Sequence, residues 1–415
     1  MMFPPGTLVA GRFSVQRVAG RGGMGSVYQA RDTSTGHTVA LKLMHAPGPS
    51  VAARRFVREA QVLSELRHPG IVSYVAHGLT DDGQPFLAME WLEGEDLSRR
   101  LGRQPLHYSE VMMLLRRAAE ALAEAHHRAI IHRDIKPSNL FLLHGRVEQL
   151  KLLDFGLARV EAVSERLTNL NVVGTPAYMA PEQASSQADI TPAVDIFSLG
   201  CVVYECLTGQ TPFHAPHVAA IMAKILYANP EPLRVLRPEL PSGIQLLVDR
   251  MLAKEPSQRI CDGQHLMREL GSMGSLPSRP LRDEPVPMPV NTDTEQQLVS
   301  VLLAAPKPPS DEDSTLTLGE EESARGRARL EDLLKELRNQ KAEASLLANG
   351  SLLATFRMER GTAEDQAKLA AHSALYVKDH WPESLTVLTT GLSLRGTPLP
   401  VGRVVDKAGE LLHMV

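Results

Sequence analysis

The stretch His132-Arg133-Asp134-Ile135-Lys136-Pro137-Ser138-Asn139, followed fifteen residues after its end by Asp154-Phe155-Gly156, holds the densest chemistry in this chain. It sets two carboxylates, an ammonium and a carboxamide on two short neighbouring segments. Such a set suits deprotonating a hydroxyl and holding Mg-bound phosphate beside it. Together they suit the transfer of a phosphoryl group to an alcohol.

Such residues need elements to aim them. Val111, Leu114, Leu115, Ala118, Leu122 and Ala125 recur at helical spacing and predict a long helix over 109–129 that runs straight into His132. His126 and His127 at its end read as surface histidines, since no carboxylate or cysteine is spaced to complete a metal site with them. Leu140–Leu143 and Val147–Leu153 predict a buried hairpin leading into Asp154.

Upstream, Phe13–Val18 alternates with period two, as a half-buried strand does. Gly20-Arg21-Gly22-Gly23-Met24-Gly25-Ser26-Val27 follows, then a strand to about Ala30, a turn at Ser34-Thr35-Gly36 and a strand through Val39-Ala40-Leu41-Lys42. Glycines at this spacing let a hairpin backbone lie close over phosphates. The motif joins strand to strand and opens no helix, which argues against a dinucleotide site of the Rossmann type. The chain has no Gly-Lys dipeptide, so a Walker A loop is excluded. An amphipathic helix over 51–66 carries Phe56, Val57, Ala60, Leu63 and Leu66 on one stripe, with Glu59 near it. A Lys42–Glu59 pair would brace the lysine against phosphate oxygens. Strands are expected at 71–78 and 85–90, and helices at 193–208 (capped by Gly209), 215–228, 244–253 and 262–270.

The 415 residues exceed one ordinary domain, and 43% apolar content supplies real cores. A net charge of −4 gives no global pull toward nucleic acid or an anionic membrane. The three cysteines lack CxxC spacing and read as reduced thiols. The start has no signal-peptide pattern, and stretches such as Ile196–Tyr204 are too short to span a bilayer. A cytoplasmic protein is expected.

Residues 13–271 resemble a bacterial eukaryotic-like (Hanks-type) serine/threonine protein kinase domain, with the signature elements in order. These are the Gly-rich loop, Lys42 in Val-Ala-Leu-Lys, Glu59, His132–Asn139, Asp154-Phe155-Gly156, Ala180-Pro181-Glu182, Asp195 in Asp-Ile-Phe-Ser-Leu-Gly, and Arg259. The resemblance implies an α+β bilobal fold, with an antiparallel sheet and helix in the N-lobe and a mainly helical C-lobe. It implies ATP and Mg²⁺ as cofactors, with Asp134 and Lys136 catalytic and Asn139 and Asp154 as metal ligands. Val18, Gly20, Gly22, Gly23, Gly25, Val27, Ala40 and Phe141 would surround the nucleotide. Lys42 braced by Glu59 would meet its phosphates, backbone groups of Glu90 and Leu92 its base edge, and Met89 the back of the pocket. Lys136, with Gly174-Thr175 before Pro176, resembles serine/threonine rather than tyrosine kinases. Arg133 is expected to receive a phosphate from Thr168, or else Ser164, with help from Arg159, in an autophosphorylated activation loop. The partners implied are protein substrates bearing Ser or Thr, in bacterial signal transduction.

Residues 272–294 are proline-rich and read as a linker. Residues 295–415 predict a small α/β, ferredoxin-like regulatory domain interrupted by a disordered segment at about 306–325. Its elements are a strand at 297–304, a helix at 328–341, a strand at 352–356, a helix at 363–377, a strand at 385–389 and a final helix reaching Leu412. This part is faintly similar to a class III nucleotide cyclase homology domain. That family's two metal aspartates would fall on Ala305 and Asn349, and its late asparagine and arginine on Asp406 and Glu410. The chemical positions are lost, so cyclase activity is not expected. A homodimer through either domain is the other partner expected. The alternative to an enzyme is a signalling scaffold with a kinase fold, which the intact Lys42, Asp134, Asn139 and Asp154 oppose.

Overall fold

Alternation of apolar and polar residues builds the first sheet. The computed structural model describes residues 3–22, 25–44, 56, 60–155, 176–185, 189–273, 296–307, 320–357, 362–394 and 401–414. It divides into two compact units. The first comprises Met1–Ala162, Thr191–Gly209 and Leu240–Leu270, the second Val163–Ile190, Gln210–Glu239 and Gly271–Val415.

In the first unit β1 (Leu8–Val9), β2 (Phe13–Gly22), β3 (Gly25–Asp32), β4 (Thr38–Met44), β5 (Tyr74–Leu79) and β6 (Pro85–Glu90) form an antiparallel sheet in the order β1-β2-β3-β4-β6-β5. Residues directly opposite in such a sheet share a face. Tyr28 lies opposite Leu41 and Leu41 opposite Ala88, and these fill the core with Phe13, Val15, Ala30, Val39, Leu43 and Phe86. One residue out of phase, Val27 opposes Lys42, and Ala40 opposes both Gln29 and Met89. The other face thus collects the apolar and cationic residues expected around a nucleotide. Gly25 is needed for a close approach, because a Cβ there would lie 2.2 Å from the Leu43 carbonyl oxygen.

The helical half of this unit starts from β7 (Gly94–Asp96), whose Asp96 side chain accepts the Arg99 N–H at 3.0 Å and caps α1 (Leu97–Arg103). Next comes α2 (Tyr108–His127), which buries Val111, Leu114, Leu115, Ala118, Leu122 and Ala125, the stripe expected of it. Strands β8 (Leu140–Leu143) and β9 (Leu150–Leu152) form the expected hairpin, with β7 on its edge. α3 (Ala193–Thr208) is buried nearly all round and stops at Gly209, whose φ of +80° is the left-handed conformation that favours glycine. α4 (Val218–Tyr227) belongs to the second unit, and α5 (Ser242–Met251) to the first; α6 (Gly263–Met273) follows.

The second unit contains β10 (Gln296–Pro306), α7 (Glu320–Asn339), β11 (Glu343–Leu346), β12 (Leu352–Phe356), α8 (Ala363–His380), β13 (Ser384–Leu394) and α9 (Val401–Met414). Its antiparallel sheet runs β11-β12-β10-β13. Period two again sorts the cores. Leu302 and Ala304 join Leu337 of α7, Ala370 and Val377 of α8 and Trp381 just after it on one face, whereas Val299, Val301, Leu303 and Ala305 supply the other. The sequence pattern did not foresee β11, whose Glu-Ala-Ser-Leu lacks β-branched residues. β13 runs five residues beyond the expected end at Thr389, since full pairing with β10 extends it to Leu394. α7 begins at Glu320, inside the stretch expected to be disordered, because its apolar residues Leu330, Leu333, Leu334 and Leu337 have a sheet to pack on.

Candidate active site

Backbone hydrogen bonds set the spacing of the two acidic segments. The Leu153 N–H donates to the Asn139 carbonyl at 2.9 Å, so the residues flanking the β8–β9 hairpin end side by side. β9 is also tied to the loop before β5, with the Leu152 N–H donating to the Gly70 carbonyl at 2.8 Å. Asn139 Nδ2 donates to the backbone carbonyl of Asp134 at 2.8 Å and to its Oδ2 at 3.0 Å. Lys136 Nζ lies 2.8 Å from the same Oδ2. Lys42 reaches Asp154, Nζ to Oδ2, at 2.7 Å. A cation from the sheet, a cation from the loop, two carboxylates and an amide therefore converge. The partner expected for Lys42, Glu59, lies outside the described residues, as do Gly23, Arg159, Ser164 and Thr168.

The loop is held from below by Asp195. Its fully buried carboxylate accepts the His132 N–H on Oδ2 and the Arg133 N–H on Oδ1, both at 2.7 Å. These bonds hold Arg133 at φ +63°, a left-handed conformation that side chains disfavour, immediately before Asp134. Asp154 is likewise left-handed, at φ +52°. Strain at two functional residues implies surroundings that over-determine them.

His126 corrects the sequence reading. It is no surface residue, for its side chain is 3% exposed and its Nε2 lies 2.9 Å from Asp195 Oδ2. Its Nδ1 accepts the Gly263 N–H at 3.1 Å, which places the ring proton on Nε2, facing the carboxylate. The available signal was its position four residues after Leu122, on the buried face of α2. Its neighbour His127 is exposed, as expected.

His132 is buried and donates from Nε2 to the Leu153 carbonyl at 2.8 Å, while Nδ1 faces the Asp134 N–H at 3.3 Å. Burial pushes its pKa down, favouring this neutral form. Its ring packs on Phe155 with centroids 4.4 Å apart, so the segments carrying Asp134 and Asp154 share a ring contact as well as backbone bonds.

Of the residues expected around a nucleotide, Val27, Ala40, Leu92 and Phe141 are half-buried, Met89 is buried and Val18 is exposed. Gly20 has nothing within 4 Å of where a Cβ would lie, and Gly22 pairs with Gly25 at the end of the β2–β3 hairpin. The Glu90 N–H donates to the Ser73 carbonyl at 2.9 Å, which leaves its own carbonyl as the group for a base edge. Its carboxylate accepts from the Ser73 N–H and from Lys151 Nζ, each at 2.7 Å. Sequence reasoning missed this Lys151 brace, which joins residues 61 positions apart.

The donor set suits a hard divalent cation, since Asp154 offers carboxylate oxygens and Asn139, whose amide N–H groups are spent on Asp134, offers its amide oxygen. Arg259 donates to the carbonyls of Ala193, Ala253 and Lys254 at 2.9–3.0 Å and stacks on Phe197 at 4.9 Å.

Comparison with known proteins agrees with this geometry. The family model described as protein kinase domain matches residues 13–269. The serine/threonine-protein kinase pkn2 of Myxococcus xanthus is 39% identical over 267 residues, 62% of this chain and 32% of the relative. PrkC of Bacillus subtilis is 36% identical over 258 residues, 61% of this chain and 39% of the relative. The chain thus spans only about a third of these relatives' length. Among solved structures, a kinase domain of Mycobacterium tuberculosis PknI aligns with a TM-score of 0.54 at 27% identity, covering 66% of this chain and all of that one. Rad53 1-466 in complex with AMP-PNP aligns with a TM-score of 0.51 at 26% identity, covering 62% of this chain and 64% of its own. With more than half of its length matched to the family model, and with that family's acidic and cationic residues converging in space, the chain belongs to the protein kinase family.

Proposed function

We propose that the chain is an ATP-dependent serine/threonine protein kinase acting in bacterial signal transduction in the cytoplasm. The observation that carries this is the convergence of Lys42, Asp134, Lys136, Asn139 and Asp154. Asp134 takes the proton of the acceptor hydroxyl and orients its oxygen toward the γ-phosphorus. Lys136, already 2.8 Å from Asp134, neutralises charge on the transferring group and on the carboxylate's neighbourhood. Lys42 holds the phosphate chain, while Val18, Val27, Ala40 and Phe141 enclose the base with Met89 behind it. The Glu90 carbonyl and the Leu92 backbone read the base edge. Gly20, Gly22, Gly23 and Gly25 allow close approach over the phosphates. Asn139 and Asp154 would hold Mg²⁺, which when bound draws off phosphate charge.

The names of the relatives and the Asp-x-Lys-x-x-Asn loop support Ser or Thr as acceptor. Phosphate on Thr168 or Ser164, met by Arg133, is the regulation proposed for the activation loop. No helix among the described residues is long and apolar enough to cross a membrane. For residues 295–415 the β-α-β-β-α-β order and the antiparallel sheet support a ferredoxin-like module. Loss of cyclase chemistry there is supported by four side chains. Ala305 is buried in the sheet, Asn349 accepts the Ser351 N–H, and Asp406 and Glu410 pair with Lys224 and Lys407.

The test is transfer of labelled phosphate from Mg-ATP to a generic protein by wild type and Asp134→Asn. Label on Ser or Thr that falls at least about a hundredfold in the variant is expected, the usual scale for a lost catalytic base. An unlabelled substrate with wild type, after prior incubation with ATP, would refute the reading, and cyclic nucleotide as product would replace it.

A further inference from the structure

One sheet face of the C-terminal module is covered by the kinase's own residues. Val299, Val301, Leu303 and Ala305 of β10, with Leu347 and Leu353, share a buried cluster with Val404, Val405, Ala408 and Leu412 of α9. Into the same cluster α4 inserts Ala219, Ala220, Met222 and Ala223, and Met179 packs against it. Both α4 and Met179 fall inside the stretch matched to the protein kinase model, 13–269. The two helices touch closely at small residues, for a Cβ built on Gly409 of α9 would lie 2.7 Å from the Ala220 Cβ.

Polar bonds fix the register of this contact. Lys224 of α4 pairs with Asp406 of α9, and the Tyr227 hydroxyl lies 3.0 Å from Ser345 Oγ of β11. The Ala348 N–H, in the turn between β11 and β12, donates to the Ala184 carbonyl at 2.9 Å. Ala184 ends the helical turn Pro181–Ala184, which contains Pro181-Glu182 of the Ala-Pro-Glu element that, by the family resemblance, closes the activation loop. The module therefore grips the far end of that segment by a backbone bond and an apolar side chain.

We propose that the C-terminal module is a cis-acting clamp on the activation segment. By fixing Met179–Ala184 together with α4, it supplies part of the order that the segment needs for phosphoryl transfer. Ordering such a segment limits activity in switchable enzymes, and a pre-ordered anchor lowers the cost. The inference rests on the kinase reading for its effect on activity, whereas the clamp itself is a matter of packing.

Gly409→Leu opens the clamp from the module's side: leucine favours the helix it sits in but collides with Ala220. In full-length protein this variant should lose protein phosphorylation on the order of tenfold, within the usual range of coupling between two sites. The KM for ATP should hold, because Lys42, Asp134 and Asp154 all lie in the first unit. Amide exchange at 179–185 and 218–227 should rise. Full-length protein cut at a protease site introduced within 278–290 should stay as one species in gel filtration, and Gly409→Leu should separate the pieces. As a second variant, Lys224→Asp should weaken activity and Lys224→Asp with Asp406→Lys should recover it. Unchanged or raised phosphorylation in Gly409→Leu, or pieces that part without it, overturns the clamp. If wild type transfers no phosphate, the kinase reading fails instead. Amide exchange at 179–185 then decides the clamp alone, and no rise on opening overturns it.

Discussion

Replacing Asp195 probes the support beneath the catalytic loop. Its carboxylate serves three buried donors: the N–H groups of His132 and Arg133, each at 2.7 Å, and His126 Nε2 at 2.9 Å. Asp195→Ala strands all three, and a buried donor left unpaired costs about 1–3 kcal/mol. The sum, about 3–9 kcal/mol, is comparable with the whole stability of a domain, about 5–15 kcal/mol, so this variant should unfold. Asp195→Asn is the informative change. With its amide oxygen where Oδ2 stands, it still accepts from His132 and His126, and its NH₂ then faces the Arg133 N–H, donor against donor. One bond is lost and two are weakened, for a cost of about 2–4 kcal/mol. Arg133 is then free to leave its φ of +63°, a conformation costing about 1–2 kcal/mol, and Asp134 turns with it. Misplacement of about 1 Å at a reacting group lowers kcat by about a hundredfold. Urea unfolding and phosphate transfer should therefore both register the change, the midpoint falling at constant m-value and kcat falling about 10- to 100-fold. A variant with wild-type midpoint and kcat would refute the three-donor account. A lowered midpoint with unchanged kcat would show that the strained backbone does not position Asp134.

Other outcomes follow from single contacts. Lys42→Met should lower kcat/KM for ATP by at least about tenfold and change the unfolding free energy by no more than about 1 kcal/mol, since the Asp154 side chain of the pair is 36% exposed and solvent screens it; steady-state kinetics beside urea melts check this. Gly25→Ala pushes a methyl to 2.2 Å from the Leu43 carbonyl, so β3 and β4 must separate, costing about 1–3 kcal/mol and raising the KM for ATP. Burial, opposed by Cys201 and aided by the nearby Arg259, lowers the pKa of Lys254 from 10.5 to about 7. Between those values the unfolded chain holds a proton that the folded chain does not, so this lysine's penalty is full below pH 7 and fades as pH rises toward 10. Lys254→Met should thus raise Tm at pH 6 by more than at pH 9, with at most about 4–5 kcal/mol at stake. Equal shifts at both pH values would contradict it.

Much of the site is legible in the order of the amino acids, for reasons tied to particular residues. The helix Tyr108–His127 announces itself because its buried residues recur every three or four positions, and Gly25 because a Cβ there would collide with the neighbouring strand. His126 escapes such a reading because a polar residue at a helix end looks solvated until its partners Asp195 and Gly263, 69 and 137 positions away, are brought to it. The Lys151–Glu90 brace escapes it for the same reason, whereas strand β11 escapes it because Glu-Ala-Ser-Leu lacks the β-branched residues that mark a strand.

The sequence by itself determined which groups stand together for the proposed chemistry: Asp134, Lys136, Asn139 and Asp154 lie on two short segments, and the family resemblance assigns each its expected role. Tertiary structure decided how those groups are held. The left-handed Arg133, the Asp195 carboxylate shared by three donors and the His132–Phe155 contact depend on long-range packing. It also decided where the C-terminal module rests, for an alanine-rich face such as that of α4 carries no mark of its partner. Local periodicity tells which side of an element is apolar; only the completed fold tells what covers it.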